Sequence, residues 1–143
     1  MKAVELFAGA GGLAMGTAEA GFSHEAILEW NKWACSTIRT NQSLKVSPVV
    51  SWPSPYEGDV RQFDYSTIRT KVDLVAGGPP CQPFSIGGKH RASNDERDMF
   101  PEAARAVNEL QPGAFIFENV RGLTRKSFES FFEYVRLLSL IHI

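Results

Sequence analysis

A glycine-rich turn, Phe7-Ala8-Gly9-Ala10-Gly11-Gly12, comes directly after the short apolar run of residues 3–7. Its three glycines allow a tight turn and a close approach of the backbone to a ligand. The amides at the start of a following helix favour a carboxylate or a phosphate. Glycines at such a turn also serve packing alone. In both cases the turn predicts a strand that leads directly into a helix.

Short apolar runs and helical patterns alternate along the whole chain, which predicts an α/β fold with crossover helices. Strands are predicted over residues 3–7, 25–29, 72–76 and 114–117, with a further stub at 49–50, and helices over 13–20, after Asn31 and over 100–110. The strands at 72–76 and 114–117 are predicted to be buried. In the helix capped by Asn31, a shared side is predicted for Trp30, Trp33, Ala34, Thr37 and Ile38. A complete doubly wound sheet has about six strands, so we expect a partial Rossmann-like sheet in a three-layer αβα arrangement.

Three side chains after the turn indicate an adenosine-type ligand. Glu29 lies 20 positions after Gly9, the spacing at which an acid reaches ribose hydroxyls in dinucleotide folds. Trp30 offers a face for adenine, and Asp59 offers a polar contact. Each also has a structural interpretation: a solvated carboxylate, a core tryptophan and a turn aspartate. The set does not distinguish NAD from S-adenosylmethionine.

The loop Gly77-Gly78-Pro79-Pro80-Cys81-Gln82-Pro83 follows a predicted strand directly. Ligands of open α/β sheets bind outside the carboxyl ends of the strands, so Cys81 lies where chemistry is expected. The prolines stiffen the backbone, as a nucleophile at short range requires. A free cysteine is otherwise a small buried hydrophobe. A cysteine-protease site is disfavoured, because neither a glycine-rich oxyanion segment nor an orienting Asn accompanies His90.

Glu118 ends the next predicted strand and is expected at the same sheet edge as Cys81. Partial desolvation there would raise the pKa of this carboxyl toward that of a useful acid. A strand-end glutamate otherwise serves as a cap or a salt-bridge partner.

The net charge of −1 and the pI of 6.3 exclude a polycation, so any basic footprint for nucleic acid is local. The candidate basic residues are Lys89, His90, Arg91, Arg121, Arg125 and Lys126. No apolar run approaches the 18 residues of a membrane span. The two cysteines are not spaced as metal ligands. We therefore expect a cytoplasmic protein that binds no metal.

These motifs, in this order, resemble those of the DNA cytosine-C5 methyltransferase family. Residues 5–12 resemble its first motif, with Glu5 where aspartate is commoner, and residues 29–32 and 58–60 resemble the second and third. Residues 79–85 resemble the catalytic motif, residues 95–100 the segment that follows it, and residues 118–120 the motif whose glutamate engages cytosine. The resemblance covers residues 2–125.

The resemblance implies S-adenosylmethionine as the cofactor and duplex DNA with a flipped cytosine as the substrate. It implies that the Cys81 thiolate adds to C6 of cytosine, that Glu118 holds N3, and that C5 then accepts the methyl group. The implied cofactor site comprises Phe7, Ala8, Gly9, Ala10, Gly11, Gly12, Leu13, Glu29, Trp30, Asp59 and Val60. The implied substrate-binding residues are Pro80, Ser85 and Asn119.

The family's later arginine motif, target-recognition region and closing segment find no match here. Residues 1–126 are therefore interpreted as an incomplete cofactor-binding and catalytic subdomain, and residues 127–143 as a helical tail. We expect the chain alone to bind cofactor weakly and to methylate poorly, with a second polypeptide as a source of the missing motifs.

Three alternatives stay open at this point. They are a tRNA cytosine-C5 methyltransferase, a truncated cofactor-binding fragment without activity, and an NAD-dependent dehydrogenase, which leaves the Cys81 loop unexplained. The target sequence and the choice between a restriction partner and an epigenetic mark are not encoded in these motifs. A bacterial protein of this kind would be associated with the nucleoid.

Overall fold

The computed structural model describes residues 1–80 and 99–119, together with Glu133. The predicted nucleophile Cys81, the predicted substrate contact Ser85, the basic residues of both loops and the tail, apart from Glu133, lie outside the described residues.

The described residues form alternating strands and helices. The strands are β1 (Lys2–Leu6), β2 (Ser23–Glu29), β3 (Tyr56–Glu57), β4 (Leu74–Gly77) and β5 (Ala114–Phe117), and the helices are α1 (Gly12–Glu19), α2 (Lys32–Ser43) and α3 (Phe100–Leu110). All strands pair in parallel, in the order β3-β2-β1-β4-β5. The predicted partial doubly wound α/β sheet is thereby confirmed.

Helices cover both faces of this sheet. Val4 and Leu6 of β1 belong to the core that includes Ala103 and Val107 of α3. Because side chains alternate along a strand, Ala3 and Glu5 point to the opposite face. That face lies beneath α1 and α2, so the described chain has three layers.

Local signals set the helix ends. The side chain of Asn31 accepts hydrogen bonds from the amides of Trp33 and Ala34, at 2.9 and 3.2 Å, so α2 begins where its predicted cap stands. Gly11, with φ of 95°, precedes α1. Gln111, with φ of 46°, ends α3. No helix in the part of the chain that the structure describes combines the length and apolar character needed to cross a bilayer.

Two predicted strands need correction. The stub at residues 49–50 is wrong: Val49–Ser51 forms a 3-10 turn that starts after Pro48. The fifth strand is instead Tyr56–Glu57, which exists because it pairs with the end of β2. The predicted burial of β5 is also wrong, since Ile116 is 51% exposed. In the described sheet order β5 is the last strand, with a pairing partner on one side only.

The predicted shared side of α2 is wrong in part. The helix buries Cys35 and Ile38, one turn apart, whereas Trp33 is 72% exposed and Thr37 is exposed. The thiol of Cys35 lies 3.4 Å from the carbonyl of Glu29, so the packed stripe runs through the cysteine and not through the tryptophan.

Candidate active site

The strand order reverses between β1 and β4, and the carboxyl ends of all the strands meet at one edge. A crevice is expected at such a reversal, outside the strand ends. The glycine turn follows β1, Trp30 follows β2, Gly78 follows β4 and Glu118 follows β5. The sheet therefore gathers residues that lie far apart in the sequence.

A first cleft of about 600 Å³ lies at this edge. Of the residues predicted from sequence, it is lined by Phe7, Glu29, Trp30, Asp59, Val60 and Pro80. Sequence reasoning missed its other lining residues, which are Leu28, Asn31, Gly58, Arg61, Gly78 and Met99. Most of these are direct neighbours of a predicted residue, so a search beside each motif would have found them.

Glu29 joins the glycine turn to the end of β2. Its Oε2 accepts a hydrogen bond from the Gly9 amide, and its Oε1 accepts one from the Asn31 amide, each at 2.7 Å. The carboxylate is therefore fixed at the cleft wall and is not a freely solvated loop group. The bond also occupies the Gly9 amide, which sequence reasoning had offered to a ligand.

Trp30 is 73% exposed and lines the first cleft, so the core alternative for this residue is wrong. Trp33 is nearly as exposed, at 72%, but does not line the cleft. The Lys32 ammonium lies 4.9 Å from the Trp33 ring centroid. Two tryptophans of nearly equal exposure thus differ in what they face, and of the two only Trp30 lines the first cleft.

Asp59 combines a turn role with a place on the cleft wall. Its Oδ1 accepts from the Arg61 amide at 3.0 Å, and its Oδ2 lies 2.6 Å from Nη2 of Arg61. These hydrogen bonds hold the pKa of the Asp59 carboxyl below its usual range. The turn interpretation is correct for Asp59. Asp59 also lines the first cleft, together with its hydrogen-bond partner Arg61.

The glycine turn rests on a buried tryptophan that sequence reasoning missed. A Cβ added at Gly11 would lie 2.7 Å from the ring of Trp52, and the backbone there has φ of 95°. Glycine is therefore required twice, by the positive φ and by the ring. Both α1 and α2 lie between the turn and Trp52 in the sequence. A local sequence pattern therefore could not have revealed the contact.

A second cleft of about 450 Å³ adjoins the first, because Phe7 and Gly78 line both. Its remaining lining residues are Glu5, Ala8, Leu13 and Glu118. Ala8, Leu13 and Glu118 were predicted site residues, whereas Glu5 was noted only as a motif variant. The signal for Glu5 was an acid inside an otherwise apolar strand.

Glu118 and Asn119 tie the end of β5 to the start of the cysteine loop. The Glu118 amide donates to the Gly77 carbonyl at 2.9 Å, and Nδ2 of Asn119 donates to the Pro79 carbonyl at 3.0 Å. A Cβ added at Gly78 would lie 3.4 Å from Oε2 of Glu118. The predicted acid and the backbone that leads into Cys81 are therefore neighbours, as the sequence indicated. Asn119 contacts that backbone.

Gly9, Ala10, Gly11 and Gly12 form the turn but are not among the residues that line either cleft. Among the described residues, no group of three or more His, Cys, Asp or Glu side chains is arranged to hold a metal ion.

Comparison with known proteins agrees with this geometry. Residues 1–137 match the family described as C-5 cytosine-specific DNA methylase. This chain belongs to that family. Type II methyltransferase M.NgoMIV of Neisseria gonorrhoeae is 45% identical over 132 residues, which are 92% of this chain and 39% of that protein. M.PspPI of Psychrobacter is 45% identical over 121 residues, or 84% of this chain and 27% of that protein.

A solved structure agrees with this family assignment. A DNA modification methyltransferase encoded within an Escherichia coli prophage superposes with a TM-score of 0.71 at 29% identity, covering 96% of this chain and 37% of that one. Spodoptera frugiperda DNMT2, at 24% identity and a TM-score of 0.61, shares the fold. The chain thus spans less than half the length of each of these relatives.

Proposed function

We propose that this chain binds S-adenosylmethionine and carries the residues that methylate C5 of cytosine in DNA. The observation that carries the proposal is the continuity of the two clefts with the start of the cysteine loop. Pro80, the residue before Cys81, lines the same cleft as Glu29 and Trp30. A ligand on the tryptophan therefore lies beside the backbone that leads to the nucleophile.

The residues of the first cleft fit an adenosine. Trp30 offers an exposed ring on which a base can stack. The Glu29 carboxylate, held by two amides, keeps lone pairs for ribose hydroxyls. When bound, the cofactor supplies an electrophilic methyl group on its sulfonium.

The roles of the protein groups follow from the family resemblance. The Cys81 thiolate adds to C6 of a flipped cytosine, and Glu118 holds N3 of the same ring so that the charge developing there is stabilised. Glu118 lies at the end of β5 and lines the second cleft together with Gly78. C5 would then take the methyl group and leave the cofactor's sulfur as a thioether, and loss of the C5 proton and departure of Cys81 would restore the aromatic ring.

The proposed DNA partner requires a recognition surface. M.NgoMIV and M.PspPI are each more than twice as long as this chain. We place DNA recognition in additional polypeptide, either in the same reading frame or in a second chain. We propose a cytoplasmic location for this protein, at the nucleoid if the source is a bacterium.

Covalent trapping tests the reaction. In the longest form that the reading frame encodes, a duplex containing 5-fluorocytosine and S-adenosylmethionine should give a stable adduct detectable by mass. Cys81→Ser should abolish the adduct, and Cys35→Ser, at a buried thiol that lines neither cleft, should retain it. An adduct with tRNA and not with duplex DNA would show that the substrate is tRNA and not DNA. An adduct that survives Cys81→Ser would contradict the mechanism.

A further inference from the structure

Arg105, in the middle of α3, reaches across to the wall of the first cleft. Its Nη2 donates to the Val60 carbonyl at 2.8 Å, and its Nη1 donates to the Phe63 carbonyl at 3.5 Å. Val60 lines that cleft and begins a 3-10 turn, Val60–Gln62, which Phe63 follows. A side chain of α3 therefore holds the backbone that forms part of the cleft wall.

This part of the wall has little regular structure of its own. Residues 58–63, all described by the structure, form a single 3-10 turn, in which the Phe63 amide donates to the Val60 carbonyl at 3.1 Å. Hydrogen bonds in such a turn have poorer geometry than those of an α-helix. Other elements hold the wall at both ends: the Gly58 amide donates to the Glu29 carbonyl at 3.1 Å, and Arg105 bonds the far end. The position of the wall therefore depends on bonds made from outside it.

Arg105 is itself fixed on α3. Its Nε donates to Oε2 of Glu102 at 2.7 Å, and its Nη1 donates to Oε1 of Glu109 at 2.9 Å. The guanidinium carbon lies 4.8 Å from the ring centroid of Tyr65, which is 2% exposed. A guanidinium presents five donors in a rigid planar fork, so it bonds carboxylates and carbonyls at the same time. Arg105 therefore holds the wall from a fixed position.

The start of α3 borders the same cleft. Met99, the residue directly before this helix, lines the first cleft. Ala103, further along the helix, is fully buried in the core that also contains Val60. Helix α3 thus carries one lining residue at its start and holds another through Arg105, so these two parts of the cleft are fixed relative to each other.

We propose that Arg105 is a positioning residue for the cofactor, which fixes the wall at residues 58–61 so that the first cleft keeps the shape that receives the adenosine. The inference rests on the proposed function and adds to it a residue outside the cleft lining. Without the two carbonyl bonds, the folded protein samples other positions of this wall, and only a fraction of the molecules is ready to bind. The affinity for adenosine then falls even where the protein is fully folded.

Two substitutions at Arg105 test this role. Arg105→Met removes the polar contacts, whereas Arg105→Lys keeps the charge and loses the fork that reaches two carbonyls. By calorimetry at a temperature at which both variants are folded, the dissociation constant of S-adenosylhomocysteine should rise about tenfold in Arg105→Met and about threefold in Arg105→Lys. 5′-Methylthioadenosine, which shares the adenosine and lacks the amino-acid end, should lose affinity by the same factors.

Two variants on the same helix serve as controls. Glu109→Gln removes an ion pair of Arg105 but no bond to the wall, and Leu110→Ala removes apolar contacts at the far end of α3. Both should keep the affinity for S-adenosylhomocysteine within about twofold, although Leu110→Ala lowers the melting temperature. If Arg105 only stabilises the fold, its variants will behave like Leu110→Ala, with a lower melting temperature and an unchanged affinity.

Unchanged affinity in folded Arg105→Met, or a loss confined to S-adenosylhomocysteine, would overturn the role of Arg105 while leaving adenosine binding intact. If Arg105→Met does not fold, the same two outcomes in Arg105→Lys decide the question. If neither ligand binds the unmodified chain, the proposed function fails first and this inference fails with it.

Discussion

The two faces of the sheet carry different kinds of side chains. The side chains that β1 and β2 direct toward α3 are all aliphatic: Val4, Leu6, Ala26 and Leu28. The same strands direct Glu5 and His24 to the face under α1, where polar atoms lie buried without partners. From these two strands the α3 face therefore receives apolar side chains, whereas the face under α1 receives a carboxyl and an imidazole, whose burial costs stability. The polar atom without a partner in the α3 core is the hydroxyl of Tyr65, which lies outside both strands.

The largest expected effect separates neighbouring residues of β1. Leu6 and Glu5 are both fully buried and point to opposite faces. Leu6→Ala should lower the free energy of unfolding by about 3 kcal/mol, since it leaves a cavity in the α3 core. Glu5→Gln should keep or raise the melting temperature at pH 7, because the Glu5 carboxyl, with its pKa raised to about 8, must take up a proton on folding and a glutamine amide need not. Thermal and urea unfolding measure both, and a loss of similar size in the two variants would erase the contrast.

Two neighbouring glycines of the turn, Gly11 and Gly12, allow a second comparison, on the α1 side of the sheet. Gly11→Ala should destabilise by about 2 kcal/mol, because the backbone is left-handed there and the new Cβ meets the Trp52 ring. Gly12→Ala is the matched control: an added Cβ contacts nothing, and alanine favours the first turn of α1. The melting temperatures of the two variants should therefore move in opposite directions; equal shifts would show that the turn does not require glycine at position 11.

The buried acid predicts a pH dependence. In the folded chain the pKa of Glu5 is about 8, whereas the unfolded chain has the ordinary value of 4.5. Between these values the folded state binds one proton more, so the free energy of unfolding falls as pH rises through 8. From pH 7.0 to 8.5 the chain should lose about 1 kcal/mol that Glu5→Gln does not lose. His24 is neutral in this window, with its pKa lowered from 6.5. Parallel pH profiles would contradict the assignment.

The smallest effect is expected at the strand ends, off both faces. Asn119→Ala removes one hydrogen bond to the Pro79 carbonyl and should cost about 1 kcal/mol or less. The adduct with 5-fluorocytosine should nevertheless form more slowly, because the bond holds the backbone that leads to Cys81. Asn108→Ala, at an exposed position of α3, serves as the control. An unchanged rate of adduct formation would remove the positioning role.

The sequence predicted the parts of this chain whose signals are local. Asn31 caps a helix through its own side chain, as predicted. The position of Glu29 at the end of β2 was also predicted, whereas its hydrogen bond with the Gly9 amide was not. Strand β3 was not predictable from sequence, because it has only two residues and is a strand only through its pairing with β2. Trp52 was missed for the same reason, because its contact with Gly11 is made in three dimensions.

The identity of a buried side chain was harder to predict than the element that carries it. The strand at 114–117 has its predicted bounds, but an apolar run does not distinguish a central strand from the last one, and Ile116 is half exposed. The same holds for Trp33 on α2, because helical spacing alone does not show which side of the helix is buried against the sheet. The burial of Glu5 required the positions of α1 and β5.

Binding of S-adenosylhomocysteine to Trp30→Ala and Trp33→Ala tests the central claim most directly. The two rings are equally exposed, and only Trp30 lines the first cleft. If the cleft stacks the cofactor's base on Trp30, the dissociation constant should rise at least about tenfold in Trp30→Ala and change less than about twofold in Trp33→Ala. Equal affinities in the two variants, or a greater loss in Trp33→Ala, would show that this cleft is not the cofactor site.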